Sequence, residues 1–254
     1  MQQRTLMGVP LCGVPLAAVI DRCLAARLGR SPQVVVACAN PHSLMVSRQD
    51  PAFRHALLDA DIVLPDGVGV TIAGHLLRRD FGPRITGLDF FRAVHASLIE
   101  GGRGRVAFFG SSTEVLQRLV ARVATDYPAV EVVALISPPY GTWSDGEDER
   151  FLAVLNAARP DVIWVGMTAP RQEKWVSRNR HRLDAPVIAS VGAVFDYYAG
   201  TVRRAPDWIC RLGLEWLYRL AGEPRRLWRR TLVSAPQFMW LALLEALQPR
   251  RSQR

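Results

Sequence analysis

Short β-branched apolar runs recur along this chain, separated by longer stretches in which apolar and polar residues alternate at helical spacing. Residues 33–38 (QVVVAC), 61–64, 105–110 (RVAFFG), 130–136, 161–166 (DVIWVG) and 186–191 (PVIASV) read as strands. Residues 42–59 and 88–100 read as helices, and Ser111 and Ser112 resemble a helix N-cap. Continuous apolar strands alternating with helices predict a parallel sheet covered on both faces. The expected fold is therefore α/β, a Rossmann-like parallel sheet flanked by helices, over residues 1–200. From Thr201 the pattern changes to crowded arginines and aromatics, then an amphipathic stretch and a basic end. Residues 201–254 are expected to form a helical, membrane-docking appendage.

In an open α/β sheet, ligands bind beyond the carboxyl ends of the strands. The turns at those ends are Ala39-Asn40-Pro41-His42, Pro65-Asp66-Gly67, Gly110-Ser111-Ser112, the segment from Gly166 to Glu173, and Gly192 to Asp196. Together they can line one cleft.

Composition adds an anionic partner to this picture. The 254 residues carry a formal charge of +9, and Lys174 is the only lysine among 32 basic residues. Arginine grips phosphate through two parallel hydrogen bonds, and a net charge of this size favours nucleic acid, acidic lipid or phosphorylated ligands. With 49% hydrophobic residues a full core is feasible. The four cysteines have no metal-ligand spacing, which fits reduced thiols in the cytoplasm. The N-terminal apolar segment is broken by Gly8, Pro10, Gly13 and Pro15 and makes a poor signal peptide. The longest apolar candidate, residues 232–247, contains Pro236, Gln237 and Glu245 and is not expected to span a bilayer.

Each candidate residue has a functional and a plain reading. Asp66 ends a strand before a glycine-rich turn, and is either a general base or the cap of the next helix. Asn40 either orients a sugar hydroxyl or phosphate, or serves the turn before Pro41. Asp59-Ala60-Asp61 resembles a metal-binding DxD but precedes its strand, at the wrong end of the sheet for the cleft. Gly110-Ser111-Ser112 can bind phosphate or simply cap a helix; it lacks dinucleotide and P-loop spacing. Gln172 and Arg171 can meet a ligand, while Glu173 fits a first-turn acid. The five histidines are dispersed, which disfavours zinc. Arg226 shares a helix face with Arg229 and Arg230, and Trp216, Tyr218, Trp228 and Trp240 favour an interfacial location.

The blocks ANPHSL, ADIVLPDGVGV, RITGLDFF, FFGSS, GMTAPRQEKW, GAVFDYYAGTVRRAP and GLEWLYRLAGEPRRLWRR occur in this order. Together they resemble the WecG/TagA/CpsF family of glycosyltransferases, glycosyltransferase family 26, from about Val34 to Arg230. The resemblance implies an inverting, metal-independent transferase that uses a UDP-sugar and a polyprenyl-diphosphate-linked sugar acceptor in the assembly of a surface polysaccharide or teichoic-acid-type glycan. It implies Asp66 as the base with Asn40 beside it. It also implies substrate contacts from Arg84, Thr86, Asp89, Tyr140, Gln172, Phe195 and Asp196, and from the appendage arginines Arg219, Arg226 and Arg229. Many members have threonine where this chain has Cys38. The donor sugar is expected to be of N-acetylmannosamine, mannosaminuronic acid or glucose type. The enzyme is expected on the inner face of the cell membrane, with a homo-oligomer possible and nucleic acid not a partner.

Two other readings compete. A basic nucleic-acid-binding module explains the charge but not the aromatic tail. A nucleotide-dependent oxidoreductase lacks its GxGxxG turn. For the tail itself, Phe238, Met239, Trp240, Leu241, Leu243 and Leu244 are expected to face lipid with Trp228, and Arg229, Arg230, Arg250 and Arg251 to meet headgroups. Removing everything after Thr231 is then expected to release the protein from membranes and leave some activity.

Overall fold

The computed structural model describes residues 3–100 and 102–247, without the side chains of Gln3, Asp207, Arg211 and Arg226. It opens with an antiparallel hairpin, β1 (Gln3–Leu6) and β2 (Val9–Cys12). Met7 and Gly8 join the strands, both at positive φ (51° and 80°), as in the two-residue turns that match strand twist. Leu6, Val9 and Leu11 are fully buried. The sequence pattern marks this segment only as a broken apolar run, so the hairpin is a finding of the structure.

The chain continues through α1 (Leu16–Arg27), β3 (Val34–Ala39), α2 (Pro41–Gln49), α3 (Pro51–Asp59), β4 (Ile62–Pro65), α4 (Val68–Leu77) and α5 (Gly87–Glu100). Then come β5 (Gly104–Phe109), α6 (Thr113–Asp126), β6 (Val130–Ile136), α7 (Asp145–Ala158), β7 (Val162–Val165), α8 (Arg171–Asn179), β8 (Val187–Ser190) and α9 (Val194–Ala199). Strands β3 to β8 form one parallel sheet in the order β4-β3-β8-β7-β5-β6. These are the six strands the apolar runs predict. In β4, β7 and β8 every residue is buried, because helices cover both faces. Val35, Ala37 and Ala39 of β3 join one core layer and Val34 and Val36 the other.

One expected helix is two. The stretch from His42 to Asp59 breaks at Asp50, whose Oδ1 accepts from the Phe53 backbone N–H at 3.0 Å while Pro51 opens α3. Proline lacks the N–H that a continuous helix needs at that point.

The C-terminal part contains α10 (Asp207–Arg211), α11 (Glu215–Gly222), α12 (Pro224–Trp228), a π-helical turn (Arg229–Ser234) and α13 (Ala235–Leu247). The backbone stays right-handed helical at Arg229 and Ala235, so α12, the π turn and α13 are continuous. Helix α13 packs on α4 and α2. Phe238 and Ala242 are fully buried in the same core layer as Val35 and Ile188. This corrects the expectation that Phe238 faces lipid. Met239 and Leu241 also pack against that core. Only Trp240, Leu243, Leu244 and Leu247 of α13 expose large apolar surface. No helix among the described residues is long and apolar enough to cross a membrane. Arg250 and Arg251 lie outside the described residues.

Candidate functional site

The carboxyl ends of β3, β4, β7 and β8 open into a cleft with two lobes, cavities of about 390 Å³ and about 400 Å³. Asn40, His42, Asp66, Glu215, Arg219 and Arg230 line both, so Asp66 sits where the lobes meet.

Asp66 does not cap the next helix. Gly67 occupies the N-cap position of α4, and no side chain caps that end. Gly67 has φ 86°, which glycine adopts without strain. Two residues on, a Cβ at Gly69 would stand 2.6 Å from Cγ of Pro41. The PDGVG turn thus lets the start of α4 close against the start of α2, and places Asp66 beside Asn40. Asn40 caps α2 through Oδ1, which accepts from Ser43 N–H at 3.1 Å. Its carbonyl serves the fold, leaving the amide NH2 for the cleft.

The surroundings of Asp66 oppose one another. Burial pushes its carboxyl above the ordinary carboxylate range. Arg230, then Arg84 and Arg219, favour the ionised form, and Glu215 disfavours it. Arg84 pairs with Glu215 at 3.9 Å, an ion pair between the sheet domain and α11. Arg219 stacks over the ring of Tyr197 at 5.1 Å.

Gln172 ties together the loops that floor the first lobe. Its Oε1 accepts from Met167 N–H at 3.2 Å and Gly192 N–H at 3.0 Å, and its Nε2 donates to Glu173 Oε1 at 2.8 Å. It is therefore a buried brace as well as a lining residue. Cys38 also lines this lobe, and burial raises its thiol pKa well above the ordinary value.

Thr86 lines the first lobe and Arg84 the second. Asp89 forms a reciprocal pair with Thr86: the hydroxyl donates to Asp89 Oδ2 at 2.6 Å and accepts from Asp89 N–H at 3.1 Å. That pair starts α5, and Asp89 itself does not line either lobe. Tyr140 is fully exposed on the loop after β6, away from both lobes. Phe195 is fully buried, edge-on to Phe108. The Asp196 carbonyl accepts from Thr201 and Val202, and the residue lies outside the lobe linings. Short helix α9 instead turns Val194 and Tyr197 to the cleft, three residues apart on one face.

Of the appendage arginines, Arg219 and Arg229 line the first lobe. The side chain of Arg226 is outside the described residues. Arg204 and Arg230 join the lining although neither is singled out for the site from the sequence. Tyr197 and Glu215 are further lining residues that sequence reasoning misses, while His42 lines the lobe from the turn after β3. His42 accepts or donates at 2.9 Å to Ser234 Oγ of the π turn, and burial followed by Arg230 lowers its pKa.

Asp59 and Asp61 lie at the opposite edge of the sheet, where both pair with Arg180 and Asp61 Oδ2 also accepts from Val35 N–H at 2.8 Å. Ser112 caps α6 by accepting from Val115 N–H at 3.3 Å, and the Gly110-Ser111-Ser112 turn is not part of either lobe.

A parallel α/β sheet with a carboxylate set among arginines at its carboxyl edge defines an enzyme cleft suited to phosphorylated substrates. The chain belongs to the WecG/TagA/CpsF family of glycosyl transferases, whose family model matches residues 4–252. It is a glycosyltransferase. It is 30% identical over 246 residues to an N-acetylglucosaminyldiphosphoundecaprenol N-acetyl-beta-D-mannosaminyltransferase of Bacillus spizizenii, covering 96% of this chain and 91% of that protein. The enzyme of the same description from Bacillus subtilis is 29% identical, covering 96% and 93%. A Staphylococcus aureus counterpart is 27% identical, covering 81% and 78%.

Proposed function

We propose that this glycosyltransferase moves a sugar from a UDP-sugar to a sugar carried on a polyprenyl diphosphate, at the cytoplasmic face of the membrane, in the making of a cell-surface glycan. The relatives' acceptor, a lipid-linked N-acetylglucosaminyl diphosphate, supports the acceptor class. The observation that carries the reading is Asp66, a carboxylate that caps no helix and stands at the meeting point of two lobes, with Arg84, Arg219 and Arg230 around it.

In this reading the first lobe, the more polar of the two, takes the nucleotide sugar. The acceptor hydroxyl attacks the anomeric carbon as Asp66 takes its proton. The bond to UDP breaks on the opposite side, and the configuration inverts. Fixed cations facing the departing diphosphate stabilise the charge that develops there; Arg204, Arg219, Arg229 and Arg230 line that lobe. Asn40 and Thr86 are at hand to orient hydroxyls.

Asp66→Asn keeps the shape and removes the basicity. Transfer from a UDP-sugar to a lipid-diphosphate sugar, followed by product mass, is expected to fall about a hundred- to ten-thousand-fold. A normally folded variant with near wild-type turnover would overturn the assignment. The reading also holds that arginines do the work of a metal, as the engagement of Asp59 and Asp61 with Arg180 far from the cleft suggests. Turnover is expected to persist in EDTA; its loss there, with recovery on adding magnesium or manganese, would refute that part.

The membrane reading rests on the exposed Trp216, Trp228, Trp240, Leu243 and Leu244, which suit an interface, and on the net positive charge.

A further inference from the structure

The second lobe differs from the first in its walls. Its inner end is formed by Asn40, Asp66, Arg84 and Arg230. Its outer end is formed by Ile72 of α4, Trp216 of α11, and Pro236 and Met239 of α13. Gly213 closes one side, its turn lying so near α4 that a Cβ there would stand 3.1 Å from Cγ2 of Val68. Beyond the outer end, Ile72 and Leu76 are 44% and 40% exposed, one helical turn apart, and Trp216 is 45% exposed. An apolar track therefore leaves the cleft along α4, the helix against which α13 packs.

The start of α4 lies at the inner end. Gly67, Val68 and Gly69 line the lobe, no side chain caps this terminus, and its first turn holds no acidic residue. A ten-residue helix with open N–H groups at its start attracts anions, and Arg84 and Arg230 flank the same place. A nucleotide sugar has no use for the apolar walls. A ligand that is anionic at one end and hydrocarbon at the other uses both.

We infer that the second lobe is the subsite for the acceptor's lipid diphosphate: the diphosphate meets the α4 N-terminus and Arg84, and the first isoprene units run between Ile72, Trp216 and Met239 toward the bilayer. The inference rests on the transferase reading and adds to it where the acceptor's chain lies. It also gives the enzyme a means to prefer a prenyl-carried sugar over a free one.

Two acceptors test this in detergent micelles, both N-acetylglucosaminyl diphosphates, one with a polyisoprenyl chain and one with a methyl group. For the wild type, kcat/KM is expected to be higher with the long chain. Ile72→Gln and Trp216→Gln alter side chains that are nearly half exposed and outside the buried core, so the fold should survive. Each is expected to lower the long-to-short kcat/KM ratio about tenfold, through KM for the long-chain acceptor and not through KM for the UDP-sugar. Leu135→Gln, an equally exposed site on β6, should leave the ratio unchanged. An unchanged ratio in both lobe variants would overturn the inference. So would an effect seen only on vesicles and absent in micelles, which would mean that these residues grip the bilayer. A wild type that transfers sugar to neither acceptor would fail the transferase reading itself. One that transfers equally well to both would fail the subsite alone.

Discussion

Glu173 shows how one buried carboxyl ties stability to pH. Its Oε1 accepts from Gln172, while Oε2 is buried without a partner. Burial raises its pKa from 4.5 to about 7. Between those values the folded chain holds a proton that the unfolded chain has released. Stability therefore falls as pH rises across that window and stays at its lower level above it. Glu173→Gln keeps the acceptor for Gln172 and cannot ionise. It is expected to flatten this slope and to gain on the order of 1–3 kcal/mol above neutrality, measured by urea unfolding at pH 5 and pH 8. An equal pH dependence in both proteins would exclude the effect. Residue by residue, the site was partly legible. Asp66 and Asn40 stand out because strand ends point to the cleft. Tyr197 and Glu215 did not, because which face of a short helix turns inward depends on neighbours distant in sequence. Asp89 carries the opposite lesson: a polar residue in a conspicuous block is used by Thr86 to begin a helix.

At the scale of elements, legibility followed burial. Strands covered on both faces leave unbroken apolar runs, and all six of the parallel sheet are visible for that reason. The β1–β2 hairpin hides behind a Met7-Gly8 turn that lacks the Asn-Gly or Asp-Gly mark. The Asp50-Pro51 break was written in the sequence, since proline after a capping residue starts a helix anew. The approach of α2 and α4 leaves little room at Gly69. Gly69→Ala would put a methyl group against the Pro41 ring, and neither backbone can yield without moving Asn40 or Asp66. Kinetics with thermal melting are expected to show a drop in kcat/KM of at least about tenfold for a loss of about 1–3 kcal/mol in stability. Normal kinetics in a stable variant would show that the two helix starts have slack.

Across the whole molecule, the C-terminal helices are less separable than the shift in composition at Thr201 suggests. Phe238 and Ala242 belong to the main core, and Glu215 pairs with Arg84. Removing everything after Thr231 would strip that core, so the truncation is expected to unfold the protein and not merely release it from lipid. Point changes separate the roles. Phe238→Ala is expected to cost about 3–5 kcal/mol in thermal or urea unfolding. Trp240→Ser, at a side chain 60% exposed, should leave stability near wild type and weaken sedimentation with anionic vesicles; unchanged vesicle binding would remove Trp240 from the membrane face. Amphipathic spacing alone could not tell these two residues apart, because both apolar faces of α13 are used. What assigns each face its duty is the π-helical turn at Arg229–Ser234. Helical residues follow one another at about 100°, and a π turn takes more residues to come round. The turn therefore works as a phase shifter between the arginines at the cleft and Phe238 in the core. Excising one residue within it would hardly change the segment's charge or hydropathy, yet would put the two ends out of step by about 100°. Core and cleft could not then both be served, so the length of this stretch is constrained more tightly than its composition.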